Sequence, residues 1–235
     1  MADKSGARPI ELFYWPTPNG KKISIMLEEL GVPYDITFVN IGAGDQFKPD
    51  FLKIAPNNRM PAIIDPDGPG GEPISVFESG AILQYLGRKY GRFYPTDVRA
   101  RVAVDEWLFW QMGGLGPMAG QAHHFRQYAP EQVPYAIRRY TDEVNRLYGV
   151  MDRRLDGRDF LAGDYSTADI ASISWVVSHE RQGQDLADFP NLKAWFERMF
   201  ERPAVQRGQV VGQDRRTDLA KDKDAQSILF GQRAS

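Results

Sequence analysis

The sequence predicts a small α+β domain followed by an all-helical domain, and three observations carry that expectation. The first ninety residues read strand, helix, strand, then strand, strand, helix. Beyond a short linker at 91–97 no strand pattern recurs, and the remaining apolar positions step by three or four, as on a helix face. The chain has 235 residues, 42 % of them apolar and 12 % aromatic, enough to fill two cores of ordinary size.

Residues 10–15, Ile-Glu-Leu-Phe-Tyr-Trp, read as a buried strand. Pro16-Thr17-Pro18-Asn19-Gly20 is a rigid turn. Ile23, Met26, Leu27 and Leu30 then follow at helical spacing until Gly31 stops the helix. Residues 34–41 form the second strand, and a loop rich in Gly and Pro follows. Ala62–Asp65 is the third strand, entered through Pro61. Residues 67–71 turn, Ile74–Phe77 is the fourth strand, and Ser79–Tyr90 a helix. The first three elements make a βαβ unit with parallel strands and a right-handed crossover, whereas the short turn before the fourth strand makes it antiparallel.

In the second half, residues 102–112 form an apolar helix containing Trp107 and Trp110, and 113–120 are Gly-rich. Val133, Ile137, Tyr140, Val144, Leu147, Met151 and Leu155 mark one long amphipathic helix. Residues 167–180 and 191–201 give two more. The tail from Gln213 is polar and is expected to be disordered. The domains are therefore drawn at 8–91 and 97–212, with 213–235 as tail.

Composition excludes several function classes. The formal charge is −2 and Lys and Arg are scattered, so the basic face of a nucleic-acid binder is missing. No apolar run approaches the roughly 18 residues of a membrane span. Residues 1–8 carry no apolar stretch, so no secretory signal is expected there. The sequence contains no cysteine. Disulfide staples and thiolate metal sites are impossible, and any sulfur nucleophile has to arrive on a small molecule.

Each candidate motif admits two readings. In Asn58-Arg59-Met60-Pro61-Ala62, Pro61 is either an edge-strand proline or a cis residue that turns the Met60 backbone toward a peptide-like ligand. In Phe77-Glu78-Ser79-Gly80, a helix N-terminus offers free N–H groups to a carboxylate while Glu78 suits an ammonium. Together they fit an amino-acid zwitterion, or else Ser79 is a plain N-cap. Thr17 and Asn19 either cap a helix or donate to a thiolate, which would lower its pKa. His123 and His124 are adjacent, share no face on regular structure and lack cysteine partners, so a metal site is not expected. Ser166-Thr167-Ala168-Asp169 is a capping box, with Tyr165 and Ile170 at the staple positions, and its role is structural.

Taken in order, the Thr17/Asn19 turn, Met60-Pro61, Glu78-Ser79, the linker, the helical domain and the Ser166–Asp169 cap resemble the cytosolic glutathione transferase family. The resemblance covers roughly residues 8–210 and implies a thioredoxin-like first domain. Phe51-Leu52, Pro56 and Pro61 are similar to the family's loop into its cis-proline. A narrower resemblance to the bacterial nu class rests on Pro16 to Ile23, Gly44-Asp45-Gln46-Phe47, Ala55-Pro56-Asn57-Asn58, Gly70-Gly71-Glu72-Pro73 and Phe77 to Leu83. Phe109-Trp110-Gln111, Gly113 to Met118, Gln121, His123-His124-Phe125 and Pro134 to Tyr140 extend it.

The resemblance implies that Met60, before a cis Pro61, pairs with the cysteinyl unit of glutathione. It implies that Glu78 and Ser79 hold the γ-glutamyl end, and that Gln46, with Arg59, contacts the glycyl end. Thr17 and Asn19 would face the sulfur as the catalytic pair, while Tyr14 packs in the core. Trp110, Gln111 and His124 would contact a second glutathione or the substrate. Arg139 lies about 140° from the apolar stripe of its helix and would reach into the site of the partner in a homodimer, where a guanidinium suits a carboxylate.

The activity so implied is reduction of disulfide bonds by two glutathione molecules per site, in the cytoplasm, without metal, nucleic acid or membrane. The absence of cysteine fits, because both thiols of the exchange must then come from glutathione. The alternatives are conjugation of glutathione to electrophiles, peroxide reduction, and a non-catalytic binding module on the same fold.

Overall fold

The computed structural model describes residues 8–215 and 221–232. The chain forms two compact units: one from the residues up to Tyr85 together with those from Arg207 onward, the other from Leu86 to Gln206.

In the first unit the elements run β1 (Ile10–Tyr14), α1 (Pro18–Leu30), β2 (Tyr34–Phe38), α2 (Pro49–Ile54), β3 (Ala62–Asp65), β4 (Ile74–Phe77) and the first part of α3 (Ser79–Tyr90). The four strands form one sheet in the order β2-β1-β3-β4. β1 pairs parallel with β2, Ile10 opposite Tyr34 and Tyr14 opposite Phe38. β3 runs antiparallel to β1, with Phe13 opposite Ala62, and β4 antiparallel to β3. The fold class is the one expected, a mixed four-stranded sheet with helices. Alternation along β1 buries Ile10, Leu12 and Tyr14 on one face. α1 is buried along most of its length, at Ile23, Ile25, Met26 and Leu27. Gly31, at φ 62°, ends it in the left-handed conformation that a glycine adopts without a Cβ clash.

β2 stops at Phe38, short of the expected 41. The chain turns there because Asn40 Oδ1 accepts the Gly42 and Ala43 N–H groups while the Asp45 carboxylate accepts the Asn40 N–H. α2 was not expected in the Gly- and Pro-rich loop. It starts on Pro49, whose fixed φ suits a first helical turn.

The second unit holds α4 (Val98–Trp110), α5 (Gly116–Gln127), α6 (Pro134–Leu155), α7 (Thr167–Val176), α8 (Pro190–Phe200) and the first part of α9 (Pro203–Val210). The Gly-rich residues 113–120 are helical. A π-helical turn at Gln111–Leu115 leads straight into α5. The glycines there permit close packing: a Cβ on Gly116 would come within 3.4 Å of Trp175 Nε1, and one on Gly120 within 3.3 Å of its ring. On α6 the expected stripe buries Val144, Leu147, Met151 and Leu155.

The capping box of α7 forms as expected, and Asp169 does more than cap. Its fully buried carboxylate accepts from the Ser166 and Leu161 N–H groups and from Trp195 Nε1 at 3.0 Å, tying three segments of the unit together. The Tyr165 ring lies 5.3 Å from both Phe93 and Phe160, with the Arg202 guanidinium over its face.

Residues 223–230 correct the expectation of a poorly ordered tail. α10 (Lys223–Phe230) is N-capped by the Asp222 carboxylate, buries Ala225, and belongs to the unit that holds the sheet. The start of that unit's C-terminal part at Arg207 also differs from the boundary drawn at 212. The parts of the leader and tail readings that fall on 1–7, 216–220 and 233–235 lie outside the described residues.

Candidate functional site

Thr17 sits where β1 hands over to α1. Its backbone is extended, and its hydroxyl accepts the Gly20 N–H at 3.3 Å as the helix N-cap. With that lone pair engaged, the hydroxyl hydrogen points away from the helix, toward Met60 Sδ at 3.7 Å. The first turn of α1 holds no acidic residue, so its positive pole is not offset locally. Asn19 is half-buried in that same turn. Tyr14 is in the core: its hydroxyl donates to the Val211 carbonyl at 3.0 Å, and burial pushes its pKa up to about 12. It cannot serve as a sulfur-side acid.

The Met60–Pro61 peptide is cis. Met60 packs its side chain with Trp15, Val39, Phe51, Ala55 and Ala62. Among the described residues its own N–H and carbonyl take no hydrogen-bond partner, so both are available to an extended peptide. Thr17 and Met60, expected to meet the same cysteinyl unit, are thus brought together.

Glu78 joins β4 to α3 in the left-handed region at φ 68°, a conformation that non-glycine residues adopt only where their surroundings hold it. Its carbonyl accepts from Ile82 N–H, and its carboxylate from the Asn57 amide at 3.3 Å. Ser79, buried, opens α3, whose first turn carries no acidic side chain. A residue not singled out from the sequence lies behind it. Lys22 is 1 % exposed and its Nζ is 3.4 Å from Ser79 Oγ. Burial pushes its pKa down to about 7, with the charge of Glu78 opposing. The signal was present: Lys22, Met26 and Leu30 lie at four-residue spacing, so this lysine stands on the apolar face.

The glycyl end is less simply arranged. Gln46 is 1 % exposed; its amide donates to the Ile41 carbonyl at 3.1 Å, and its oxygen is buried without a partner. Its side chain therefore offers no exposed atom to a ligand. Arg59 is exposed and donates to Gln232 Oε1 at 2.8 Å, just beyond α10. A Cβ on Gly42 would lie 3.2 Å from that of Ala225, so α10 packs on the loop that leads to Gln46.

Four further candidates belong to the helical unit. Trp110 is half-buried, its ring 5.3 Å from that of Trp107. Gln111 is fully buried beside Gly116, too deep to contact a ligand directly. His124 is half-buried against Phe125, and burial holds its pKa below the usual value. His123 instead stacks on Tyr128, so the two histidines diverge. Among the described residues no group of three or more His, Asp or Glu side chains is placed to hold a metal ion. Arg139 is exposed and loosely paired with Glu143 at 3.8 Å.

A strand-to-helix threonine, a cis-proline loop and a strained acidic residue before a buried serine all mark one end of the strands of a small mixed sheet. The N-terminal domain of glutathione S-transferases matches residues 8–88, and the C-terminal domain residues 122–203. The chain belongs to the glutathione S-transferase family. It is 50 % identical over 213 residues to the disulfide-bond oxidoreductase YfcG of Escherichia coli, covering 89 % of this chain and 99 % of that one. Among solved structures, a glutathione transferase from Burkholderia graminis matches with a TM-score of 0.82 and 43 % identity, over 87 % of this chain and 89 % of that one. That protein binds two glutathione molecules per subunit. A Pseudomonas putida glutathione transferase, with one glutathione disulfide bound per subunit, matches with a TM-score of 0.83 and 42 % identity, over 88 % and 94 %. Among the described residues no helix is long and apolar enough to cross a membrane.

Proposed function

We propose that this family member is a glutathione-dependent disulfide-bond reductase of the nu class, working in the cytoplasm as a homodimer with two glutathione molecules per site. The observation that carries the reading is the Thr17 hydroxyl, fixed by the Gly20 N–H so that its hydrogen faces a sulfur 3.7 Å away. A thiolate accepts such a hydrogen far better than the Met60 thioether, and a hydrogen bond to the charged form lowers the thiol pKa. Met60 then supplies the backbone pairing for the cysteinyl unit, and Glu78 and Ser79 take the γ-glutamyl ammonium and carboxylate. Arg59 is the glycyl-side candidate, with Gln46 shaping the loop from within.

The chemistry balances without a protein thiol. The bound glutathione thiolate attacks one sulfur of the substrate disulfide, forming a mixed disulfide and releasing the first substrate thiolate. A second glutathione thiolate attacks the glutathionyl sulfur, which gives oxidised glutathione and the second substrate thiolate. Two glutathiones are oxidised and one disulfide is reduced. The absence of cysteine and the two relatives with two glutathiones or glutathione disulfide bound support this reading.

For the homodimer, the support is an unpartnered apolar stripe. Val98, Val102 and Phe109 are exposed and lie on one face of α4. Arg139, also exposed, is the residue assigned to the partner's site. The test is turnover of a small model disulfide with excess glutathione, coupled to glutathione reductase. Turnover that falls in Thr17→Ala supports the reading. Glutathione binding without turnover points to conjugation of electrophiles or peroxide reduction, and no binding points to a non-catalytic module.

A further inference from the structure

α10 bridges two loops of the sheet-bearing unit. At Ala225 it lies against Gly42, and at Ile228 against Gly44, with Ile228 Cγ2 3.9 Å from where a glycine Cβ would stand. Just beyond its end, Gln232 meets Arg59, the residue before Met60 in the cis-proline loop. The helix thus runs from the loop that holds Gln46 to the loop that holds Met60.

The half-buried Gln232 side chain is fixed through both atoms of its amide. Its Nε2 donates at 3.2 Å to the Ile228 carbonyl, one of those that a helix C-terminus leaves open. Its Oε1 accepts from Arg59 Nη1 at 2.8 Å. The guanidinium therefore sits at the negative pole of α10, where a cation is favoured. The other contact of Arg59, with the Asn58 carbonyl at 3.4 Å, uses the same Nη1. Among the described residues Nε and Nη2 take no partner, and no carboxylate pairs with the charge. That edge is the one by which Arg146 grips the Glu143 carboxylate, Nε at 2.9 Å and Nη2 at 2.7 Å. A neutral amide thus holds Arg59 in place without neutralising it, and leaves open the two-nitrogen edge that matches a carboxylate.

We propose that α10 is a strap whose Gln232 positions Arg59 for the glycyl carboxylate of glutathione, which takes the Nε/Nη2 edge. This rests on the assignment of Arg59 to the glycyl end. Without Gln232, an exposed arginine has to be ordered at the moment of binding, and the entropy lost there weakens affinity about fivefold.

The probes are S-methylglutathione and its glycinamide, in which a neutral amide replaces the glycyl carboxylate. Both are titrated calorimetrically into the full chain. Gln232→Ala is expected to weaken the carboxylate probe about fivefold and to leave the glycinamide unchanged. In an Arg59→Ala background the same substitution should cost nothing further, because Gln232 acts through the arginine. An equal loss for both probes, or no loss for either, overturns the positioning role while the glutathione site stands. Equal binding of the two probes by the wild type removes Arg59 from the glycyl carboxylate, and the strap's role with it. No binding of either probe by the wild type overturns the glutathione-dependent function itself.

Discussion

The Thr17 hydroxyl and the Met60 sulfur lie 3.7 Å apart, and the threonine reaches that sulfur only because its other contact is with its own helix at Gly20. One oxygen thus caps α1 and, on the function proposed above, is the donor to the cysteinyl sulfur. Thr17→Ala removes both roles. The expected result is a rise of about one unit in the pKa of the bound glutathione thiol, hence about a tenfold fall in turnover near neutral pH. A loss of about 1 kcal/mol of stability should accompany it. Thr17→Ser should restore most of each. Ultraviolet titration of the bound thiolate reads the pKa directly, and an unshifted thiolate in Thr17→Ala would remove the hydroxyl from sulfur activation.

What the sequence disclosed followed from patterns that burial enforces. Ile10, Leu12 and Tyr14 alternate because one face of β1 is buried, and Leu147, Met151 and Leu155 step by four because one stripe of α6 is. Thr17, Met60 and Glu78 stood out as candidates because turns, prolines and strand-to-helix junctions are local features. Depth did not. Gln46 and Gln111 look like any polar residue near a loop, but both are buried. Lys22 is enclosed, and only its four-residue spacing with Met26 and Leu30 hinted at that. The Gly-rich 113–120 segment was left unassigned since glycine marks either a loop or a tight contact, and only Trp175, more than fifty residues away in sequence, decides between them. α10 is polar and short, and the observed Ala225 contact with Gly42 is not visible from either segment alone.

Asp169 accepts hydrogen bonds from Leu161, Ser166 and Trp195 in a site without solvent, and burial raises its carboxyl to about 6 against the pull of those donors. Asp169→Ala strands the Trp195 and Leu161 donors, and an expected loss of about 2–4 kcal/mol should lower Tm by several degrees. The pH dependence has a definite sign. Because the folded pKa lies above the unfolded value, this group's contribution is full below about pH 4 and is lost as pH rises through about 6. Denaturant titrations of wild type and Asp169→Asn across that range should differ in slope, the variant lacking this component.

Gly208 is where α9 meets α1 backbone to backbone. A Cβ there would stand 2.5 Å from Ile25 Cα and 2.6 Å from Ile25 N, while Ser24 Oγ donates to the Gly208 carbonyl at 2.7 Å. Neither obstacle is the end of a flexible side chain, so the helices must separate. Gly208→Ala should cost about 1–3 kcal/mol although alanine is the better helix former. Since α1 also carries Lys22 and follows Thr17, glutathione affinity should fall with stability. Equilibrium unfolding and ligand titration of one preparation check both, and an unchanged or higher stability would contradict the close approach.

Arg139 separates a local role from a role in the partner's site. Its own contact, Glu143 at 3.8 Å with the arginine side chain 56 % exposed, is worth little to stability. Arg139→Ala should therefore leave Tm nearly unchanged while raising the KM for glutathione several-fold. Arg139→Lys should recover only part of it, because an ammonium lacks the planar fork that matches a carboxylate. The decisive measurement mixes two impaired variants, Arg139→Ala and Thr17→Ala, after reversible dissociation. If the arginine serves the partner, each mixed dimer holds one complete site: Thr17 from one subunit and Arg139 from the other. Random pairing makes half of all dimers mixed, so about a quarter of all sites are complete, and at subsaturating glutathione activity should rise clearly above the mean of the two variants. If Arg139 serves its own subunit, no site in the mixture is complete and no activity returns.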